Sequence, residues 1–200
     1  MSRSKGRKTG RTLVNLPPQR AFTSILASPR NQIITPIEVL PFFDPETQSP
    51  KDYDSVNCSA LWDTGATGSC ITNNVVKQLK LAPIRTVKVT HAGGQKDSNV
   101  YLVNFHLPNR VGVAEISAVE YDDNPQHDVI IGMDIITRGS FAISNTEGRT
   151  CVSFCIPPMP TETDFVKDVN ATITSLIGPN DLCLCGSGNK FKKCCRDKYT

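Results

Sequence analysis

Residues 60–71 read Ala60-Leu61-Trp62-Asp63-Thr64-Gly65-Ala66-Thr67-Gly68-Ser69-Cys70-Ile71, which places one carboxylate between an apolar run and a turn rich in glycine and small residues. The apolar run is typical of a buried strand, and we expect that strand to end at Asp63. The residues that follow offer backbone N–H groups and hydroxyls on a tight loop. A carboxylate held in this way is suited to exchange a proton with a bound water.

Two later stretches give this loop a structural context. Val129-Ile130-Ile131-Gly132 is typical of a short, fully buried strand that ends at a glycine. Residues 87–95 and 99–103 alternate around Gly93 and Gly94, which indicates a hairpin. The three elements, in this order, resemble those of bacterial retropepsin-like aspartic proteases of the Asp-Thr-Gly-Ala type. The resemblance covers roughly residues 31–157.

The predicted fold is all-β. Many short strands predict a small closed barrel, as the resemblance also implies. The resemblance further implies the roles of the loop residues: Asp63 is catalytic, Thr64 bonds across a dimer interface, and Gly65 lets backbone approach the carboxylates. Ala66 completes the loop. Gly93 and Gly94 would form a mobile flap over an extended peptide or protein substrate, bound by strand-like hydrogen bonds.

An aspartic protease needs two carboxylates that share one site, because close like charges cannot both ionise. The chain contains a single Asp-[Ser/Thr]-Gly. One chain therefore cannot assemble the pair, and we expect a homodimer in which Asp63 of each chain meets at a two-fold axis. The expected activity is endopeptidase hydrolysis by water attack, without an acyl-enzyme.

The eight cysteines fall into a scattered group and a terminal cluster, and the cluster follows the pattern C-x-C-x8-C-C. Without a secretory signal, such a cluster is more typical of metal binding than of disulfides. It resembles the SEC-C motif, a small zinc finger, which implies one structural Zn²⁺ bound by Cys183, Cys185, Cys194 and Cys195. The finger is basic, and we expect it to contact a protein, a chaperone or the ribosome.

The composition divides the chain into four segments: a basic flexible extension over residues 1–30, the protease domain over 31–157, a linker with an amphipathic helix over 158–178, and the finger over 179–200. Within the extension, Ala21–Leu26 is a candidate for docking on the core. The extension is either a solvated tail or a contact to an acidic surface such as RNA. The helix is predicted to begin with a capping box at Thr161–Asp164. Its apolar side either docks on its own domain or binds a partner.

Two further expectations concern location and the alternative function. No apolar run approaches the roughly 18 residues of a membrane span, and no apolar signal region follows the basic amino terminus, so we expect a cytoplasmic protein without membrane contact. The alternative function is a non-catalytic dimeric peptide-binding or adaptor protein that acts through the zinc finger. The intact Asp-Thr-Gly favours the peptidase, since a binding protein does not need an ionisable pair.

Overall fold

The computed structural model describes residues 21–91 and 94–199, without the side chains of residues 90 and 91. These residues belong to two compact units, which divide between Met159 and Pro160. The strands are β1 (Ala21–Leu26), β2 (Ile33–Pro41), β3 (Val56–Trp62), β4 (Cys70–Thr72), β5 (Arg85–His91), β6 (Gly94–Leu107), β7 (Val111–Tyr121), β8 (Val129–Ile131), β9 (Ser140–Thr146) and β10 (Arg149–Cys155). The helices are α1 (Asn73–Gln78), α2 (Met133–Ile136) and α3 (Phe165–Leu176).

Six strands of the first unit close into a barrel. Their order is β2-β3-β8-β4-β7-β6, and β6 pairs back onto β2. Pro36 lacks an N–H, and it lies where β2 has only β3 beside it, because the pairing with β6 begins at Glu38. The predicted all-β closed barrel is confirmed.

The short strand β4 lies inside this barrel order between two strands that are distant in sequence. It runs parallel to β7 and antiparallel to β8, while β8 runs parallel to β3. This arrangement brings the end of β3 and the start of β4 together beside Gly132, which follows β8.

A second sheet, with the order β1-β10-β9, covers part of the barrel core. Its inward side chains form an aromatic cluster with Trp62, whose ring stacks on Phe141 at 5.0 Å between centroids and lies 5.2 Å from Phe154. The Trp62 Nε1–H donates to Thr35 Oγ1 at 2.9 Å, so the buried indole is fully paired.

Strand β1 falls within the segment that was predicted as a flexible extension. All six of its residues pair antiparallel with β10, and Phe22 is buried in the aromatic cluster. Ala21–Leu26, the part of residues 1–30 that was a candidate for docking on the core, is thus a strand of the second sheet. Residues 1–20 lie outside the described part of the chain.

Strands β5 and β6 form the predicted hairpin. Their pairing continues to His91 opposite Gly94, and Gly94 has a φ of 119° that favours glycine. Gly93 lies outside the described residues.

The second unit contains α3 and the terminal cysteines around a small core of Ile177, Cys183, Phe191 and Cys195, against which Ile173, Cys194 and Tyr199 pack. Helix α3 and the finger therefore belong to the same compact unit. The helix begins one turn later than expected, since its N-cap is Asp164, which accepts from the Lys167 N–H at 3.0 Å. None of the described helices combines the length and the apolar character needed to cross a bilayer.

Candidate active site and metal centre

Asp63 is the first residue after β3. Its N–H donates to the Ile131 carbonyl at 3.0 Å, which continues the parallel pairing in which Leu61 lies opposite Ile130. The position of Asp63 is thus set by two strands, and its side chain is half-buried.

The loop after Asp63 turns back on the carboxylate. The Gly65 N–H donates to Asp63 Oδ1 at 2.8 Å, and the Ala66 N–H donates to the Asp63 carbonyl at 3.2 Å. A Cβ at Gly65 would lie 3.1 Å from the same Oδ1, so a larger residue would crowd the carboxylate. Thr64 is exposed at the tip of the loop.

Residues 132–134 hold the underside of this loop. A Cβ on Gly132 would lie only 2.6 Å from the Gly68 carbonyl carbon, so the two backbones touch. The Met133 N–H donates to the Ala66 carbonyl at 2.8 Å, and the Asp134 N–H donates to the Thr67 carbonyl at 3.2 Å.

A side-chain pair joins the same two segments. Ser69 Oγ donates to Asp134 Oδ1 at 2.8 Å and accepts from the Gly132 N–H at 3.1 Å. Neither Ser69 nor Asp134 was among the predicted site residues. The only sequence signal is that an acidic residue, Asp134, lies two positions after the glycine of the apolar-apolar-Gly run.

A row of half-buried side chains, here called the apolar strip, crosses four neighbouring strands beside Asp63. It consists of Leu61, Ile130, Cys70 and Val119, each paired in register with the next. The residues that alternate with them, including Ala60, Ile71 and Ala118, are completely buried in the barrel core. Because successive side chains of a strand point to opposite faces, the apolar strip faces away from the barrel core, on the same face of the sheet as Asp63.

Cys70 is the thiol in this strip. Burial, together with the negative charges of Asp134 and Asp63, raises its pKa to about 11. The thiol is therefore protonated at neutral pH, and Cys70 is unsuited to act as a nucleophile.

The β5–β6 hairpin continues from the same side of the sheet. Val100 pairs with Val119 of the apolar strip, and Lys96 and Ser98 share the face of Val100 by alternation. Lys96 Nζ lies 2.7 Å from Asp122 Oδ1 in the segment after β7. The hydrogen bond and charge of Asp122 raise the pKa of Lys96. This exposed ion pair links the hairpin to that segment.

The four terminal cysteines come together as predicted. All four sulfurs lie within 4.8 Å of one another, with Cys185 and Cys194 at 3.4 Å and Cys194 and Cys195 at 3.7 Å. A tetrahedral site with metal–sulfur bonds of about 2.3 Å needs sulfurs roughly 3.8 Å apart, so the spacing fits a metal ion.

The finger backbone and its hydrogen bonds also suit metal binding. Gly186 and Gly188 have φ values of 77° and 73°, which only glycine adopts without strain. A hydrogen bond from Ser187 is the main cause that lowers the pKa of Cys185 to about 6, whereas hydrogen bonds with Cys183 and the other thiols raise the pKa of Cys195 to about 12. A thiolate is the form that binds a metal, so Cys185 is the ligand that is already suited to bind one.

The barrel topology and the Asp-Thr-Gly loop at the end of β3 define the fold class as retropepsin-like. Residues 52–135 match the family model described as aspartyl protease, and residues 180–197 match that of the SEC-C motif. Residues 52–135 are thus similar to aspartyl protease domains, and residues 180–197 are similar to the SEC-C motif.

A short stretch of the chain is also similar to a curated protein. It is 64% identical over 28 residues to the UPF0225 protein VP1145 of Vibrio parahaemolyticus, a match that spans 14% of this chain and 17% of that protein.

Several solved structures are similar to the barrel. A retropepsin-like aspartic protease from Rickettsia conorii is 12% identical, with a TM-score of 0.43, over 68% of this chain and 94% of that one. The simian foamy virus (mac) protease is 19% identical, with a TM-score of 0.36, over 52% and 92%. The retroviral protease-like domain of Ddi1 from Leishmania major is 13% identical, with a TM-score of 0.39, over 66% and 97%.

Proposed function

We propose that this protein is a homodimeric aspartic endopeptidase, with one Asp63 from each chain forming the catalytic pair. The observation that carries the proposal is the single Asp-Thr-Gly loop, whose Asp63 carboxylate accepts the Gly65 N–H at 2.8 Å while remaining half-buried at the protein surface. A second copy is needed because a lone carboxylate cannot act as both acid and base in one step.

The chemistry follows from two carboxylates that share a proton. The ionised Asp63 takes a proton from the attacking water, and the protonated Asp63 of the other chain donates to the scissile carbonyl. Thr64 is exposed in the single chain, so it is free to bond across the two-fold axis and brace the paired loops. Gly65 keeps the backbone close to the carboxylate.

The substrate is proposed to be an extended peptide or protein segment with apolar side chains beside the scissile bond. The apolar strip lies next to Asp63 and is only half covered in one chain, so apolar substrate side chains would complete its burial. The β5–β6 hairpin is proposed as the flap, with Gly93 and Gly94 at its tip, donating strand-like hydrogen bonds to the peptide.

The metal is proposed to be one structural Zn²⁺ held by Cys183, Cys185, Cys194 and Cys195, which would stabilise the second unit. That unit exposes large apolar side chains, among them Phe165 at 74% and Leu184 at 71%, and its finger is also rich in basic residues. Such a surface suits recruitment of a protein partner, including a chaperone or the ribosome. A thiolate-rich site also fits the reducing cytoplasm, where we place the protein.

The decisive experiment is cleavage of a peptide library, followed by mass spectrometry, from about pH 4 to about pH 8. Wild type should cut next to apolar residues, and Asp63→Asn should not cut at any pH. Retained cleavage by Asp63→Asn would overturn the proposed mechanism. Peptide binding without cleavage by wild type would instead favour the non-catalytic dimeric binding or adaptor protein.

A mixing experiment tests whether the pair comes from two chains. Equal amounts of wild type and Asp63→Asn, unfolded and refolded together, should give about one quarter of the activity of wild type at the same total concentration, because only one dimer in about four has two aspartates. An activity of about one half would mean that each chain acts alone. Light scattering at the assay concentration should show two chains per particle.

A further inference from the structure

Backbone hydrogen bonds make most of the connections between the segment Gly132–Asp134 and the Asp63 loop. Among the described residues, Ser69 and Asp134 form the one hydrogen bond between side chains of these two segments. Ser69 is completely buried, and its hydroxyl uses both its donor and its acceptor capacity, toward Asp134 Oδ1 at 2.8 Å and from the Gly132 N–H at 3.1 Å. A buried hydroxyl that lost such partners would be destabilising, so this geometry is strongly preferred.

Asp134 therefore holds the loop at two points. Its N–H donates to the Thr67 carbonyl at 3.2 Å, while its carboxylate accepts from the hydroxyl of Ser69, two residues further on. The other end of the loop is fixed by the Asp63 N–H, which donates to the Ile131 carbonyl at 3.0 Å. Both ends of the loop are thus attached to one short segment, 131–134.

We infer that Ser69 and Asp134 are positioning residues for Asp63, an inference that rests on the proposed peptidase function. Both act on Asp63 through the loop that they hold. The role requires an acceptor at position 134 rather than a charge, because the partner is a neutral hydroxyl. An asparagine can supply that acceptor, and an alanine cannot.

The kinetic test compares Asp134→Ala, Asp134→Asn and a control. In Asp134→Ala, kcat per folded chain should fall about 10- to 100-fold with KM within about twofold, since a misplacement of roughly 1 Å at a reacting group costs rates of this order. Asp134→Asn should restore kcat to within about threefold of wild type, because it keeps the acceptor.

Asp128→Ala is the matched control. Asp128 Oδ2 accepts from Ser59 Oγ at 3.0 Å and from the Ser59 N–H at 2.9 Å, so it forms a comparable serine–aspartate pair between β3 and the start of β8, away from the Asp63 loop. This variant should lose stability but keep its kcat per folded chain. If the role of Asp134 is purely structural, both alanine variants should lose stability and keep their kcat per folded chain. That result would overturn the inference.

A measurement without catalysis separates this inference from the proposed function. Amide hydrogen exchange over residues 63–69, in an Asp63→Asn background, should speed up in Asp134→Ala and remain unchanged in Asp128→Ala. If Asp134→Ala does not fold, Ser69→Ala removes the same hydrogen bond with a smaller loss of volume and carries the same expectation. Unchanged exchange in a folded variant refutes the positioning role, whereas absent cleavage by wild type refutes the peptidase.

Discussion

Gly132→Ala is the substitution that most directly tests how the Asp63 loop is supported. The backbone of Gly132 has φ −94° and ψ −173°, which alanine adopts without strain. The added Cβ would nevertheless lie 2.6 Å from the Gly68 carbonyl carbon and 2.9 Å from the Ala66 carbonyl oxygen. The substitution therefore adds a steric overlap with the backbone of the loop at Gly68 and Ala66, and it changes little else.

The magnitude follows from that overlap. Ordinary carbon–carbon contacts lie at about 3.5–4.0 Å, so the loop must move by roughly 1 Å. Overpacking of this kind costs about 1–3 kcal/mol, and the lower entropy of the unfolded alanine chain offsets about 0.4–1 kcal/mol of it. We expect a net loss of about 1–2 kcal/mol in the free energy of unfolding. A 1 Å displacement of Asp63 should also lower kcat/KM by about 100-fold.

Two other glycines supply the controls, with urea unfolding and cleavage of a fixed peptide as the assays. A Cβ on Gly68, the contact partner of Gly132, would meet nothing within 4 Å, so Gly68→Ala should remain within about 1 kcal/mol of wild type in stability. Gly139→Ala would clash with the Cys155 carbonyl, away from the loop, and should lose stability while keeping activity per folded chain. The reasoning fails if Gly132→Ala matches Gly68→Ala in stability, or if Gly139→Ala loses the same activity per folded chain.

Three further predictions concern the metal, the pH profile and the strip thiol. Metal analysis should find about one zinc per chain. The double variant Cys194→Ser and Cys195→Ser should lose the zinc and unfold α3, seen as a loss of helical circular dichroism, but it should still cleave short peptides. Unfolding of the barrel in this variant would contradict the prediction. Ala66→Ser adds a hydroxyl donor three residues after Asp63, and a hydrogen bond from it to the carboxylate favours the ionised form. The acidic limb of the activity profile should therefore move about one unit to lower pH, and a shift to higher pH would refute the argument. Burial and two carboxylates raise the pKa of Cys70 to about 11, so its alkylation, followed by peptide mass spectrometry, should be slow at pH 7 and rise toward pH 11. Asp134→Asn removes one of the two charges, so the rise should come at lower pH, and an unchanged profile would show that burial alone is responsible.

Features that depend on neighbouring residues were predictable from the sequence. The loop at Asp63, the Gly132 strand and the β5–β6 hairpin follow from apolar runs, glycine positions and alternation within short windows. The grouping of Cys183 and Cys185 with Cys194 and Cys195 follows equally from spacing.

Other features depend on which elements become neighbours, and local patterns do not encode that choice. Alternation within β1 predicts that Phe22 faces a core, but it does not predict that β10 is the strand that pairs with β1. The apolar spacing of α3 likewise predicts a stripe that includes Val166, Val169 and Leu176, yet these remain exposed at 71%, 56% and 81% while Ile173 and Ile177 pack on the finger.

The candidate site shows the same division. The sequence by itself determined that Asp63 lies on a tight glycine loop and that one chain supplies only one such loop, because both properties belong to a contiguous tripeptide. Only the tertiary structure decided that Ser69 bonds Asp134, 65 positions away, and that Gly132 touches Gly68. Those contacts exist because β4 lies between β7 and β8, and a strand order of this kind is selected by the packing of the whole barrel core rather than by any one segment.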